Sequence, residues 1–453
     1  MRGSHHIVAL GELARRATFR LADRAKGSPF DRHLRELDHA QSLSAEELKE
    51  WQQQKLCALL RHARDTTRFY RSLIPRRFTS MDSWEILSEL PIVRKETMKE
   101  DRDAFLSTAF PLSRLYGGYT SGTTGRRFAY WMSQTRRQRI LAELAYFGGW
   151  AGFEIGARHM FLRTTMPESS RNFLQLWPKN QILIPVSKLN GERLHAALER
   201  LIDSHAKVLF GYPWTLQVLA AHAHRSRKWQ ARRQVTLRSI VSIGGPLLQE
   251  VRANIEGAFG QPTFERYSAL EVGTIAGECE MRRLHMNVGS LIAEFLPRKN
   301  GEISAEGEPS NLVLTDLFNY GMPFLRYDIE DVVAPESGLC ACGRQSPLLR
   351  TVHGRAMDQI VSPHGEWIDP ICFGNLVRDM SPIRQFQFVQ ETPDSYQVRV
   401  VPEDTLSPST TSEIVLRCER ILGPAARIQI TQVDEIPALP SGKRPFIVSN
   451  LRR

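Results

Sequence analysis

The spacing of apolar residues along the chain predicts alternating helices and strands. Ser44-Ala-Glu-Glu47 is typical of a capping box, and apolar residues follow it at helical spacing, so a long amphipathic helix is expected to begin there. Short apolar runs predict strands at residues 208–211 and 239–243. A helix is expected over 247–259, ending at Gly260. This alternation indicates an α/β fold with a mostly parallel sheet.

The last third of the chain has a different pattern. Asn300-Gly301 is a hairpin signal between the strand-like segments 290–296 and 311–317, which predicts antiparallel structure there. From Gly354 onward, strands are expected at 386–390, 396–401 and 428–433, with a helix over 411–422. We therefore expect a large domain over residues 1–353 and a small α+β domain over 354–453.

Composition indicates a globular protein and argues against two other classes. The chain has 453 residues, of which 42% are hydrophobic and 24% charged, and no apolar run is long enough to span a bilayer. Residues 10–24 are arginine-rich without the apolar core of a secretory signal, so a cytoplasmic location and no membrane partner are expected. The formal net charge is +11, but the basic residues are scattered, so no nucleic-acid partner is predicted. A basic surface of this kind would attract anionic ligands.

The most informative motif is Tyr119-Thr-Ser-Gly-Thr-Thr-Gly-Arg-Arg127. Glycines let the backbone approach a ligand closely, and hydroxyl and N–H groups donate to phosphate oxygens. The spacing is not that of a Walker A loop. A plain polar turn is the structural alternative. The predicted phosphate-binding residues are Thr120, Ser121, Gly122, Thr123, Thr124, Gly125 and Arg126.

Five further motifs follow this loop in order. They are Gly244-Gly-Pro246, Tyr267-Ser-Ala-Leu-Glu271, Arg326-Tyr-Asp-Ile-Glu-Asp331, Gly354-Arg-Ala-Met-Asp358 and Leu439-Pro-Ser-Gly-Lys443. The ordered set resembles the adenylate-forming enzymes, which include the acyl-CoA synthetases and adenylation domains. Within them it is most similar to the phenylacetate–CoA ligase branch with its CapK-type relatives, and Leu90-Pro-Ile-Val-Arg-Lys95 also fits that branch.

The resemblance implies a large adenylate-forming domain, with a helical preamble to about residue 105, and a mobile C-terminal lid. It also implies activation of a carboxylic acid with ATP as acyl-AMP, release of pyrophosphate, and transfer of the acyl group to CoA. That chemistry needs positioned phosphates and neutralised charge. The Ser121–Gly125 loop would hold the β- and γ-phosphates, although Arg126 replaces the usual lysine.

The remaining roles are also implied by the resemblance. Glu271 would bind Mg²⁺, for which one carboxylate is chemically adequate, and Asp331 would accept both ribose hydroxyls. Asp328 and Glu330 are competitors for that ribose role. Arg355 would reach ribose or phosphate, and Lys443 would contact the attacking carboxylate and the α-phosphate. The adenine site would be lined by Tyr267, Gly244, Gly245 and Pro246.

The acyl acceptor stays open because the hinge region departs from the family pattern. Met357 stands where a hinge aspartate or lysine is common. The loop that guides the CoA thiol elsewhere contains Pro363, which fixes φ and lacks an N–H. CoA is the expected acceptor, with an amine or a carrier-protein thiol as alternatives.

The acid is predicted to be aromatic or apolar. Aromatic side chains follow the phosphate loop and the second strand, and they would suit a flat acid. A plain core role is the alternative for each. The predicted pocket residues are Tyr146, Phe147, Trp150, Tyr212 and Trp214.

Two short ligand pairs predict a structural zinc site. The pair Cys279 and His285 lies about sixty residues before the pair Cys340 and Cys342, and together they make a Cys3His set. Some phenylacetate–CoA ligase relatives share both pairs. Buried reduced thiols are the alternative.

Two other classes of function remain as alternatives. One is a catalytically dead relative that binds nucleotide or a partner, and the other is a basic nucleic-acid-binding protein without a recognisable module. The sequence leaves the oligomeric state open, with a homodimer among the options.

Overall fold

The computed structural model describes residues 2–25, 29–120, 128–163, 180–185, 191–231, 236–297, 307–355, 360–365, 367–368, 373, 383–402, 405–437 and 445–451. Its described residues up to 114 form mainly helices. The helices are α1 (Arg2–Ala25), α2 (Phe30–Ser42), α3 (Ala45–Thr66), α4 (Arg68–Arg71), α5 (Ser83–Glu89), α6 (Lys95–Glu100) and α7 (Arg102–Phe105), followed by a 3₁₀ turn at Leu112–Arg114.

The capping box that precedes α3 is confirmed. The Ser44 side chain accepts from the Glu47 backbone N–H, and the Glu47 carboxylate accepts from the Ser44 N–H at 2.9 Å. Each bond satisfies a donor that the first turn of the helix would leave unpaired. The buried face of α3 packs into the largest hydrophobic core of the molecule.

The central sheet has eleven described strands and two halves of opposite character. The strands are β3 (His159–Arg163), β4 (Gln181–Pro185), β5 (Val208–Gly211), β6 (Ser239–Ile243), β7 (Thr263–Ala269), β8 (Gly273–Glu278), β9 (Leu284–Met286), β10 (Leu291–Pro297), β11 (Ser310–Asp316), β12 (Tyr327–Glu336) and β13 (Leu348–Arg355). Their order is β10-β11-β12-β13-β9-β8-β7-β6-β5-β3-β4. The pairings among β3 to β7 are parallel, and those from β7 through β8 to β10 are antiparallel. The sheet changes direction at β7.

One described helix precedes β3 and four lie between β4 and β7, as expected for an α/β layer arrangement. They are α8 (Gln134–Trp150), α9 (Gly191–Asp203), α10 (Pro213–Arg225), α11 (Arg227–Ala231) and α12 (Gln249–Phe259). The strands predicted at 208–211 and 239–243 are confirmed. The helix predicted over 247–259 is confirmed with a start two residues later, and Gly260 ends it with a φ of 66°.

The predicted antiparallel pair is also confirmed. β10 pairs with β11, with Leu291 opposite Asp316. The Asn300-Gly301 turn lies outside the described residues. A separate two-stranded hairpin, β1 (Tyr116–Thr120) with β2 (Phe128–Met132), flanks the phosphate-loop motif.

The C-terminal segment forms a separate small α+β unit, in which one helix packs on a four-stranded sheet. A hairpin of β14 (Ile360–Val361) and β15 (Trp367–Ile368) precedes β16 (Ile383–Gln390), β17 (Ser395–Pro402), β18 (Arg427–Gln432) and β19 (Ile447–Ser449), in the order β18-β17-β16-β19. Helix α13 (Pro408–Leu422) packs against this sheet through Ile414, Cys418 and Leu422. The strands and the helix predicted in this segment are confirmed within a few residues.

Among the described helices, none is both long and apolar enough to cross a bilayer.

Candidate active site

The candidate site lies where the sheet changes direction, at the carboxyl end of β7. Open α/β sheets bind ligands in the crevice outside the carboxyl ends of their parallel strands. The Gly244-Gly-Pro246 loop directly follows β6, and a β-carbon on Gly245 would lie 3.7 Å from Pro213, which follows β5. The loops after β5 and β6 therefore meet beside β7, and Tyr267 lies in β7 next to them.

Glu271 occupies the tight connection between β7 and β8 and is buried. One carboxylate oxygen, Oε1, accepts from the Tyr327 hydroxyl at 3.0 Å. Burial, followed by repulsion from Glu271, raises the pKa of Tyr327 well above its ordinary value, so the hydroxyl keeps its proton and remains a donor. This leaves the second carboxylate oxygen of Glu271 to take a cation.

The base of the phosphate-loop hairpin reaches the same place. Phe128, the register partner of Thr120, stacks on the Tyr327 ring with centroids 6.3 Å apart. Burial and the nearby Glu271 carboxylate raise the pKa of Tyr130 to about 12. The β1–β2 hairpin, through Phe128, and the Glu271 connection are thus both in contact with Tyr327.

Asp331 is linked to the predicted adenine site. The Tyr267 hydroxyl donates to Asp331 Oδ2. In the β12–β13 ladder Asp331 faces Arg355 directly, which places the Arg355 backbone across from this carboxylate. Asp331 and Arg355 therefore lie on neighbouring strands, and the Tyr267 side chain reaches Asp331 from β7.

The two competing acids of the same motif are held elsewhere. Glu330 pairs with Lys95 at 3.0 Å, and Asp328 accepts from the Glu330 backbone N–H at 2.8 Å. The Asp328 carboxylate also lies 3.9 Å from Arg94. Of the three acids, Asp331 is the one whose described partner, Tyr267, belongs to the candidate site.

The Leu90–Lys95 motif docks against the start of β12. Val93 exchanges backbone hydrogen bonds with Arg326 and Asp328, each 2.9 Å long. The Arg326 guanidinium donates to the Leu90 carbonyl at 2.7 Å and to Glu294 at 3.0 Å. These contacts give the motif a structural role in fixing the strand that carries Tyr327 and Asp331.

A buried ionic network holds the Glu271 connection from the other side. Arg136 on α8 bonds Glu143 and Asp316, each at 2.6 Å, and all three side chains are fully buried. Arg136 also donates to the Val272 carbonyl, and Glu143 accepts from the Thr274 N–H at 3.1 Å. The sequence alone does not reveal this network, since charged residues on a helix usually form its solvent-facing side.

The predicted pocket aromatics separate into two groups. Tyr146 donates to Asp38 at 3.1 Å, and Trp150 packs edge-on against His285 with ring centroids 5.7 Å apart. Phe147 is buried against β8. Tyr212 and Trp214 lie at the start of α10, directly after β5. Tyr146 and Trp150 are therefore engaged with α2 and with the cysteine–histidine cluster.

Several predicted residues lie outside the described part of the chain. These are the loop residues Ser121, Gly122, Thr123, Thr124, Gly125 and Arg126, the hinge positions Met357 and Asp358, and Lys443.

The predicted metal ligands do come together. Cys279 follows β8, His285 lies on β9, and Cys340 and Cys342 belong to the connection between β12 and β13. Their ligand atoms all lie within 4.8 Å of one another. Cys279 Sγ is 3.7 Å from Cys340 Sγ, and Cys342 Sγ is 3.3 Å from His285 Nε2.

These distances fit a tetrahedral zinc ion. Zn–S bonds of about 2.3 Å at the tetrahedral angle place sulfur atoms roughly 3.8 Å apart, close to the Cys279–Cys340 separation. His285 Nδ1 lies 3.0 Å from the Ser346 hydroxyl, which leaves Nε2 toward the cluster. Burial, with a contribution from Arg344, lowers the pKa of His285 to about 4, so the ring is neutral and able to ligate.

Comparison with known proteins agrees with this architecture. Residues 360–450 match the CapK C-terminal domain family. Protein CapK of Staphylococcus aureus is 22% identical over 421 residues, covering 90% of each chain. The solved structure of 2-hydroxyisobutyryl-CoA ligase in the postadenylation state, in complex with 2-HIB-AMP, matches with a TM-score of 0.73 and 17% identity, over 91% of this chain and 92% of that one.

A second solved structure extends the comparison. The anthranilate CoA ligase AuaEII in complex with anthranoyl-AMP matches with a TM-score of 0.51 and 15% identity, over 73% of this chain and 65% of that chain. Residues 360–450 are therefore similar to the CapK C-terminal domain, and the chain shares the fold of these two CoA ligases.

Proposed function

We propose that the chain is an AMP-forming acid ligase. It would activate an aromatic or other apolar carboxylic acid with ATP as acyl-AMP, release pyrophosphate, and transfer the acyl group to CoA. The strongest support is that three groups meet at the carboxyl end of β7. They are Glu271, the Tyr267–Asp331 pair and the base of the β1–β2 hairpin at Thr120 and Phe128. The fold is one that CoA ligases use.

Each group has a task in that reaction. The loop from Ser121 to Arg126 would hold the β- and γ-phosphates. Glu271 would bind Mg²⁺, which neutralises phosphate charge when bound. Asp331 would accept the ribose hydroxyls, beside an adenine site formed by Tyr267 and Gly244–Pro246. Arg355 would reach ribose or phosphate from the strand beside Asp331.

Lys443 would act at the transition state. As an acid oxygen attacks the α-phosphorus and the bond to pyrophosphate breaks, negative charge grows on the α-phosphate oxygens, and a positioned ammonium stabilises it. Residues 354–453 would form the lid that carries this lysine. The protein would act in the cytoplasm, where ATP is available and where the described cysteines, all of them free, would stay reduced.

Exchange of labelled pyrophosphate into ATP tests the activation half. Exchange that depends on a carboxylic acid is expected, and Lys443→Ala should lower it by about 100-fold or more, the size typical of a lost transition-state donor. Lys49→Ala, an exposed lysine on α3, is the matched control and should leave exchange unchanged. ATP binding without exchange across a broad acid panel would instead favour a catalytically dead relative.

The acceptor is tested by pyrophosphate release in the presence of CoA, hydroxylamine or neither. Release that requires CoA supports the thioester reaction. Equal release with hydroxylamine and CoA would show only that an activated acyl group forms, with an amine or a carrier-protein thiol still the alternatives to CoA.

We also propose that the Cys279–His285–Cys340–Cys342 cluster binds a structural zinc ion. Four protein ligands leave no open position for a catalytic water. The ion would tie the β8–β9 hairpin to the connection between β12 and β13.

A further inference from the structure

Arg266 is an arginine beside the candidate site that lacks an anionic partner. Arg266 is half-buried, and other buried or half-buried arginines are paired: Arg136 with Glu143, Arg139 with Glu36 and Arg252 with Glu278. Within the described residues, the Arg266 guanidinium has neither an ion pair nor a hydrogen bond, and its Nε is fully buried without an acceptor. Burial lowers the pKa of Arg266 to about 10. Removing a guanidinium from water without an anion is costly, so such a group is retained where a ligand supplies the anion.

The surroundings of Arg266 are aromatic and apolar. Its guanidinium carbon lies 5.5 Å from the centre of the Phe210 ring. In the ladder Arg266 faces Gly277, where a β-carbon would come within 2.5 Å of Phe147. Phe147 can pack against this strand because Gly277 has no side chain. The cation is thus set among aromatic rings on one face of the sheet.

The position of Arg266 in β7 places it next to the nucleotide residues but on the opposite face. Side chains alternate along a strand, so Tyr267 and Glu265 point away from it, and neither neutralises it. Its partner on β6 is Ile243, the last residue before the Gly244–Pro246 loop. Arg266 therefore lies at the carboxyl end of the parallel strands, where this kind of sheet receives ligands.

We propose that Arg266 binds a second anionic group at the far end of the acid substrate, so that the enzyme activates dicarboxylic acids with an apolar middle. This inference rests on the proposed ligase function and specifies its substrate class. One carboxylate attacks the α-phosphorus and displaces pyrophosphate, while the other stays unreacted as a counterion of Arg266. The planar guanidinium matches a carboxylate with two parallel hydrogen bonds, and Phe147 and Phe210 would contact the carbon chain between the two ends.

The test compares acids that differ only at the far end. Succinate is set against butyrate, glutarate against pentanoate, and isophthalate against benzoate, with pyrophosphate release measured for wild type, Arg266→Met, Arg266→Lys and Arg282→Met. Arg282 is the matched control because it also lies over a phenylalanine ring, that of Phe264, but is paired with Glu256.

For at least one pair, the wild type should prefer the diacid. Arg266→Met should lower the ratio of kcat/KM for diacid over monoacid by about 100-fold, as expected for the loss of a charged hydrogen-bond partner. Arg266→Lys should give an intermediate ratio, and Arg282→Met should keep the wild-type ratio. An equal ratio in wild type and Arg266→Met, or a wild-type preference for the monoacid in every pair, overturns the inference.

Two further measurements separate this inference from the proposed function and from a purely structural role. If no acid supports pyrophosphate release, the proposed function fails, and binding then decides the role of Arg266. A diacid that raises the melting temperature of the wild type but not of Arg266→Met supports that role. An equal rise in the melting temperature of both proteins refutes it. Without ligand, Arg266→Met should melt at the wild-type temperature or above it, since an unpaired buried cation is removed. A structural stacking role predicts a lower melting temperature.

Discussion

Glu265 lies in β7 two residues before Tyr267, and its surroundings disfavour the charged carboxylate. Burial, followed by repulsion from Glu278, raises its pKa from an ordinary value of 4.5 to about 8, and Arg252 offsets only part of this. Glu278 is itself fixed by the Glu265 backbone N–H at 2.6 Å and by Arg252 at 3.0 Å. Near neutral pH the Glu265 side chain therefore favours its protonated form.

This shift predicts a pH dependence of stability with a definite sign. Between about pH 4.5 and 8 the folded state binds the Glu265 proton more tightly than the unfolded state does. The free energy of unfolding should therefore fall as the pH rises through this window and level off above it. Glu265→Gln, a neutral mimic of the protonated acid, should remove that contribution.

Urea unfolding of both proteins at pH 5 and pH 8 measures the effect. Other groups titrate in the same window, so the quantity of interest is the difference between wild type and Glu265→Gln. The variant should gain stability relative to wild type on going from pH 5 to pH 8. Parallel changes in the two proteins would contradict the prediction.

Single-residue roles could be predicted from sequence where a motif fixes the position. The sequence favoured Asp331 as the ribose ligand and kept Asp328 and Glu330 as competitors. Their partners separate them in the structure, because Lys95 and Arg94 come from a distant segment. Arg266 could not be found in this way, since a lone arginine in a strand has no pattern and its lack of a partner appears only in three dimensions.

At the scale of elements, the β7–β8 connection depends on helix α8. Arg136 holds the Val272 carbonyl and Glu143 holds the Thr274 N–H, so Glu271 sits on a backbone fixed on its following side. Removing one member of a buried ionic network leaves its partners unpaired, which is more costly than losing the whole network.

Arg136→Met should therefore destabilise the protein by about 3–5 kcal/mol, because Glu143 and Asp316 would remain as buried acids without their cation. In the fraction that folds, pyrophosphate exchange should also fall, because the Glu271 connection is released. Denaturant unfolding and exchange assays check the two effects.

Arg137→Met is the control, since this neighbouring residue is exposed and lies over the Tyr116 ring. It should change stability by less than about 1 kcal/mol. Equal losses in both variants would disprove the role of the network.

Elements with local signals were predictable, and elements specified by distant contacts were less so. The capping box of α3, the end of α12 at Gly260, and the strands of the C-terminal sheet all follow from neighbouring residues. The buried charges of α8 do not. Arg136, Arg139 and Glu143 have the spacing of a polar face, yet their partners lie on α2, on β11 and around the start of β8.

At the scale of the whole molecule, the sheet order brings together segments that the sequence keeps far apart. β13 pairs with β9, so the connection between β12 and β13 comes to lie beside the β8–β9 hairpin. The two ligand pairs of the cysteine–histidine cluster lie on those two segments. The sequence supplied the ligands, but their convergence depends on a strand order that no local pattern encodes.

A bound zinc ion at this point would connect the two halves of the antiparallel region. The purified protein should contain about one zinc per chain, and Cys340→Ser should lose it and lower the melting temperature. A chelator should lower the melting temperature of the wild type toward that of the variant, because metal affinity contributes to folding. Cys418→Ser is the matched control, since this thiol is buried in the C-terminal core away from the cluster, and it should retain the metal. A metal-free wild type with the same melting temperature as Cys340→Ser would show instead that the four side chains are packed thiols and an imidazole. Hydrophobic packing around Trp150 and Leu348 would then hold the two segments together.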